Sequence, residues 1–196
     1  MTLLQSSAIE KKNTVRILFY GQSITEQPWW LQVRQDLQKR FPLATLEIEN
    51  RAIGGHSSQL LCRTAEADLY PFYPDLVIFH VYGAHDRYED IIRRIRERTT
   101  AEVLIQSDHP GAKDSLDEVT DPGKLTTEQW NPWMNYVFLP ATAKKYGCEF
   151  LPQRDLWSRG ELDRGDRRGA RRLLERDAGR IVEHLTSGRR GILGVR

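Results

Sequence analysis

The sequence predicts an α/β protein, a flavodoxin-like three-layer α/β/α sandwich around a five-stranded parallel sheet. Short apolar runs alternate with amphipathic helical segments, an order that is typical of parallel sheets with right-handed crossovers. Residues 76–82 are apolar on both faces, as expected of a central strand that helices cover on both sides. No internal repeat points to a solenoid or a propeller instead.

Each predicted element has a local signal. Residues 15–20 are β-branched and aromatic and end at Gly21, where glycine allows a sharp turn, so they are predicted as the first strand. Pro28 suits the first turn of a helix, and residues 44–50 alternate as a half-exposed strand does. The fourth helical stretch is expected to break or kink near Pro140. The predicted strands are 15–20, 44–50, 76–82, 102–106 and 148–151, and the predicted helices are 28–37, 58–68, 88–98, 130–146 and 171–185.

The composition predicts one domain whose two ends differ from the rest in their residue types. The chain has 196 residues, and its hydrophobic fraction of 39% is enough for a core. We assign residues 1–14 to a polar lead-in, 15–185 to the domain and 186–196 to a disordered tail. The domain becomes Arg-rich from about residue 153, with 12 arginines and 7 acidic residues between 154 and 196. Those acidic residues and a net charge of only +2 argue against nucleic-acid binding.

The sequence carries no targeting signal that we recognise. Residues 1–12 lack the apolar stretch of a signal peptide, and no apolar run is long enough to span a membrane. The two cysteines, Cys62 and Cys148, lack metal-binding spacing and are expected to be thiols rather than a disulfide. We therefore expect a cytoplasmic protein that does not interact with membranes, and the sequence gives no oligomeric state.

Functional residues are expected at one edge of the sheet. The carboxyl ends of parallel strands meet at the same edge, where open α/β sheets bind ligands. This edge gathers Ser23, the glycine turn at 50–58, the segment 83–86 and His109, a convergence that packing alone explains poorly. His80, inside the central strand, is expected in the core or in the layer of residues behind the site. Aromatic residues at helical spacing are interpreted as core, with a saccharide-stacking surface as the alternative, and they are Trp29, Trp30, Trp130, Trp133 and Tyr136.

Three segments at this edge resemble the sequence blocks of the SGNH, or GDSL, hydrolases. Gly21-Gln22-Ser23-Ile24 is similar to the first block, whose serine is the nucleophile. Residues 50–55 resemble the second block, whose last glycine, here Gly55, donates its N–H to the oxyanion. Gly83-Ala84-His85-Asp86 resembles the third block, normally Gly-x-Asn-Asp, whose asparagine is a further oxyanion donor. The order and spacing match over residues 15–152.

The resemblance implies a serine esterase with a flavodoxin-like fold. It would cleave small acyl esters, with carbohydrate acetyl esters among the candidates, through an acyl-enzyme on Ser23. The substrate is a small-molecule or carbohydrate ester, and no cofactor or metal is implied. The N–H groups of Ser23 and Gly55 would stabilise the oxyanion, and one such donor is worth about 3 kcal/mol of barrier. The motif Gly-x-Ser-x-Gly is absent, which argues against an ordinary α/β-hydrolase.

The chain departs from the family pattern at three places. Gln22 replaces the aspartate of the first block, and His85 replaces the asparagine of the third, either as an oxyanion donor or as the base itself. The family's Asp-x-x-His, which supplies the base, is missing, since Asp177 lies seven residues before His184. The base is therefore expected to be His184, His109 or His85.

These departures keep a second interpretation open. The chain could be a weakly active or inactive SGNH-like domain that binds a saccharide or a protein partner.

Overall fold

Five parallel strands form one sheet at the centre of the computed structural model, which describes residues 2–108, 122–154, 179, 181–183 and 185–186. The strands are Thr14–Gly21 (β1), Thr45–Asn50 (β2), Leu76–His80 (β3), Glu102–Gln106 (β4) and Glu149–Leu151 (β5). Their spatial order is β2-β1-β3-β4-β5, and every neighbouring pair is parallel. This order is the flavodoxin-like one, so the predicted fold class is confirmed.

The helices occur in the order that the sequence predicts, and the structure adds two short ones, Thr2–Gln5 and Ser23–Glu26. They are Thr2–Gln5 (α1), Ser23–Glu26 (α2), Trp29–Arg40 (α3), Ser58–Asp68 (α4), His85–Arg98 (α5), Thr127–Trp133 (α6) and Leu139–Tyr146 (α7). A 3₁₀ turn covers Pro122–Lys124, and a π-helical segment, Met134–Phe138, joins α6 to α7. Most of the predicted helix 171–185 and the tail beyond Thr186 lie outside the described residues.

The sheet has a hydrophobic cluster on each face. Leu18, Tyr20 and Phe79 belong to the cluster that α4, α5 and α7 cover, whereas Ile17 and Phe19 belong to the one that α1, α3, Ile181, Val182 and Leu185 cover. Every residue of β3 is buried, as expected of a central parallel strand. Burial of one such large apolar side chain contributes about 1.5–3 kcal/mol, so the two clusters hold the layers together.

Two local features refine the expectations, and the two cysteines agree with them. The lead-in contains α1, whose Leu4 is buried in the cluster on the α3 face. The break expected near Pro140 takes the form of the π-helical segment, and Pro140 itself is the second residue of α7. Cys62 and Cys148 are both free thiols, each half-buried. In the described part of the chain, no helix combines the length and apolarity that a membrane crossing requires.

The carboxyl ends of β1 and β3 approach so closely at Gly21 that no side chain fits there. Gly21 pairs with His80, and a Cβ on Gly21 would clash with the His80 carbonyl oxygen and lie 2.5 Å from Thr25 Oγ1. A backbone carbonyl in the central strand cannot move aside without disturbing the sheet. The position therefore admits only glycine.

We predict that Gly21→Ala lowers the free energy of unfolding by about 3 kcal/mol, the upper range for an overpacked site. The matched control is Gly55→Ala. A Cβ there meets no described atom within 4 Å, and only its φ of +76° adds strain, which costs about 1 kcal/mol. Urea unfolding of the two variants measures the difference, and equal losses would contradict the close approach.

Candidate active site

Backbone hydrogen bonds tie three turns into one rim at the carboxyl edge of the sheet. Ile53 N donates to Gly21 O (3.0 Å), which joins the turn after β2 to the end of β1. Ser58 N donates to Tyr82 O (2.8 Å), which joins the start of α4 to the chain after β3. Ser23, Gly55 and His85 therefore share one rim, each just beyond a strand or its turn.

Ser23 is the first residue of α2 and its side chain is exposed. The N–H groups of a first helical turn have no acceptor within the helix, so Ser23 N–H can serve a ligand. Two side chains hold α2 in place by donating hydrogen bonds to its backbone carbonyl oxygens. Asn50 Nδ2 donates to Thr25 O (2.7 Å), and Trp29 Nε1 donates to Ile24 O (2.7 Å). The serine is thus held on a short helix whose position β2 and α3 determine.

Gly55 lies in an open turn that leaves its backbone accessible. Its φ of +76° is a conformation that favours glycine, and a Cβ would find no described atom within 4 Å. Asn50 Oδ1 accepts from Ala52 N (2.9 Å) and so shapes the start of this turn. The carboxylate of Glu26 lies against the neighbouring Gly54, where a Cβ would be 2.6 Å from Oε2. The turn therefore leaves the Gly55 backbone exposed, and Glu26 packs against the residue before it.

His85 is the first residue of α5, and its imidazole packs among three aromatic rings. The ring centroids of Trp130, Trp133 and Phe138 lie 5.6, 5.4 and 5.5 Å from that of His85. The preceding turn is fixed by α4, because Ser58 Oγ donates to Ala84 O (2.8 Å). The aromatic set expected in the core thus contributes Trp130 and Trp133 to the surroundings of a predicted site residue.

Among the described residues, no histidine is hydrogen-bonded to Ser23. Within residues 2–108 and 122–154, no hydrogen bond joins Ser23 Oγ to another group, and none joins it to His85. His109 and His184 lie outside the described residues. His56, which follows the oxyanion turn, is half-buried. The identity of the base stays a prediction among His184, His109 and His85.

A buried polar group next to this rim was not anticipated from the sequence. His80 Nε2 lies 3.5 Å from Asp108 Oδ1, and the Tyr82 hydroxyl donates to the same oxygen. Asp108 N donates to Asn135 Oδ1 (2.6 Å) in the π-helical segment. Burial, followed by the Asp108 charge, raises the pKa of Tyr82, so its hydroxyl stays a donor. The sequence signal for this polar group is that both strands, β3 and β4, end in polar residues.

No family model and no curated protein matches the sequence. A protein of Parabacteroides merdae named as a GDSL-like lipase is 16% identical, with a TM-score of 0.63, and the match covers 87% of this chain and 96% of that one. A variant of an acetyl-xylooligosaccharide esterase from Geobacillus stearothermophilus is 15% identical, with a TM-score of 0.65, over 86% of this chain and 94% of that one.

A third solved structure covers less of the fold. It is a two-domain esterase active on acetylated mannans, 30% identical over 47% of this chain, and the chain spans only 30% of its length, with a TM-score of 0.43. The first two likenesses extend over most of both chains. The described residues therefore share the fold of these solved structures, which are named as a GDSL-like lipase and acetyl xylan esterases.

Proposed function

We propose that this protein is a serine ester hydrolase of the SGNH type, which cleaves small acyl esters, including acetyl esters of carbohydrates. The observation that carries the proposal is the single rim on which Ser23, Gly55 and His85 lie, tied by the bonds of Ile53 N to Gly21 O and of Ser58 N to Tyr82 O. The names of the solved structures with this fold, acetyl xylan esterases among them, support the substrate class.

The proposed reaction proceeds through an acyl-enzyme on Ser23. Ser23 Oγ attacks the ester carbonyl while a histidine takes the hydroxyl proton, and the carbonyl oxygen becomes a tetrahedral oxyanion. The N–H groups of Ser23 and Gly55 donate to this oxyanion, and the exposed turn at Gly55 leaves room for the substrate. The histidine then protonates the departing alcohol. Water, deprotonated by the same histidine, hydrolyses the acyl-enzyme and restores Ser23.

His85 has two proposed roles, and its surroundings distinguish between them. As an oxyanion donor it would replace an asparagine amide, and packing against Trp130 and Trp133 would hold its ring in one orientation. As the base it would need a hydrogen bond to Ser23 Oγ, which the described residues do not contain. The aromatic packing favours the donor role.

A second function is a binding domain with little or no hydrolytic activity. The missing Asp-x-x-His and the replacement of the third-block asparagine by His85 favour this alternative. Such a domain would use the same rim to bind a saccharide or a protein partner without turnover.

We predict that Ser23→Ala lowers kcat for p-nitrophenyl acetate by on the order of 10³-fold or more, because the nucleophile is lost. A fluorophosphonate should label the native protein at Ser23, and peptide mapping identifies the residue. Ser6→Ala is the control, since Ser6 bonds Asn13 in the lead-in before β1. A native protein with neither turnover nor labelling would favour the binding domain, and activity that survives Ser23→Ala would exclude this nucleophile.

We predict that alanine at one of three positions, His85, His109 or His184, lowers kcat by about 10²–10⁴-fold, the usual contribution of a general base. His85→Asn separates the two roles of His85. An asparagine amide can donate to an oxyanion but cannot take a proton, so His85→Asn should keep most of the activity if His85 is a donor. Full activity in all three alanine variants would contradict the proposed base.

A further inference from the structure

Glu26 shares a helix face with the proposed nucleophile, and its carboxylate lies against the turn that carries the proposed oxyanion donor. Helix α2 is a single turn that begins at Ser23 and ends at Glu26, and residues three apart on a helix lie on the same face. The carboxylate reaches the turn after β2, where Oε2 lies 2.6 Å from the position that a Cβ on Gly54 would occupy. Gly55 is the next residue. A negative charge therefore borders the proposed reaction centre.

The Glu26 carboxylate has no positive partner among the described residues. No ion pair and no hydrogen bond within residues 2–108 and 122–154 involves its oxygens. Arg51, directly after β2, is paired elsewhere, since its Nε lies 2.7 Å from Glu49 Oε2. Arg87, near the start of α5, has its Nε 3.5 Å from Asp86 Oδ2. Both arginines are thus matched by other carboxylates, and in the described part of the chain nothing offsets the charge of Glu26.

This charge acts in a part of the site that is open to solvent. Glu26, Ser23, Gly54 and Gly55 are all exposed, so a substrate at the serine meets the carboxylate in water rather than in the protein core. Two unit charges about 4 Å apart in water change an equilibrium by about fivefold. The effect extends over a Debye length of about 10 Å at about 0.1 M salt, which exceeds the length of a small ester. A charge on either the acyl or the alcohol part of a substrate is therefore within range.

We propose that Glu26 makes the site select esters by charge and that the preferred substrates carry an ammonium group close to the ester, an assignment that rests on the proposed esterase function. A positive group on the substrate is attracted to the Glu26 carboxylate, and a negative group is repelled. The reaction itself adds to this selection. The oxyanion that forms at the Gly55 N–H is negative, so Glu26 disfavours it, and a positive group on the same molecule offsets that repulsion.

Three acetate esters of similar size and different charge test the proposal. They are acetylcholine, its neutral isostere 3,3-dimethylbutyl acetate and the anion 4-acetoxybutanoate, and ¹H NMR of the released acetate gives kcat/KM for each. The value for the native protein is divided by the value for Glu26→Gln, which has the same shape and no charge, so the intrinsic reactivity of each ester cancels. This ratio should fall about fivefold from the cation to the neutral ester and about fivefold again from the neutral ester to the anion.

Two further variants and the salt dependence check the electrostatic cause. Glu26→Lys should invert the order of the three esters relative to Glu26→Gln. Glu10→Gln, exposed in the lead-in before β1, is the matched control and should keep the native order. At about 1 M NaCl, where the Debye length is about 3 Å, the preference of the native protein should decrease.

Binding to Ser23→Ala separates the charge selection from the esterase. The Kd of each ester for Ser23→Ala, with and without Glu26→Gln, is measured by line broadening of the ester resonances and gives the same comparison without turnover. Hydrolysis with equal ratios for the three esters retains the esterase and overturns the inference, as does an equal effect of Glu10→Gln. Charge-ordered binding without hydrolysis retains the selection by Glu26 and loses the esterase. Absence of both hydrolysis and charge-ordered binding overturns both proposals.

Discussion

The close approach of β1 and β3 at Gly21 is the constraint on which the rim depends. Because Gly21 has no side chain, the His80 carbonyl oxygen can lie against it, and α2 begins at Ser23, two residues later, at the edge of the sheet. The Gly21 carbonyl oxygen then accepts from Ile53 N and fixes the turn that contains Gly55. One residue without a side chain thus sets the positions of the proposed nucleophile and of an oxyanion donor.

Most of the fold could be predicted because its signals are local. Strand β4, Glu102–Gln106, and helix α4, Ser58–Asp68, have the predicted bounds, since apolar runs and glycine turns mark them in the sequence. Helix α1 was not predicted, because it is a single turn whose Leu4 is stabilised by packing against distant residues. The π-helical segment was also missed, as hydrophobic periodicity does not distinguish it from an α-helix.

The candidate site could be predicted only in part. The positions of Ser23, Gly55 and His85 at one edge follow from parallel topology, which the order of the elements indicates. The side-chain environment does not follow, because it is formed by segments far apart in the chain. The aromatic rings around His85 come from residues 130–138, and Asp108, which lies beside His80, follows a different strand. Such contacts form only when α6 packs against the sheet.

The π-helical segment sets the orientation of α7 relative to α6. A π-helix closes its hydrogen bonds one residue later than an α-helix, so Met134–Phe138 contains one residue more than a regular turn would. Since each helical residue advances by about 100°, deleting that residue would rotate α7 relative to α6 by this angle. Asn135 and Leu139 are both buried, and after such a rotation they could not both keep the contacts that they now make. The spacing between Trp130 and Leu139 is therefore less tolerant of insertion or deletion than the lengths of α6 and α7 themselves.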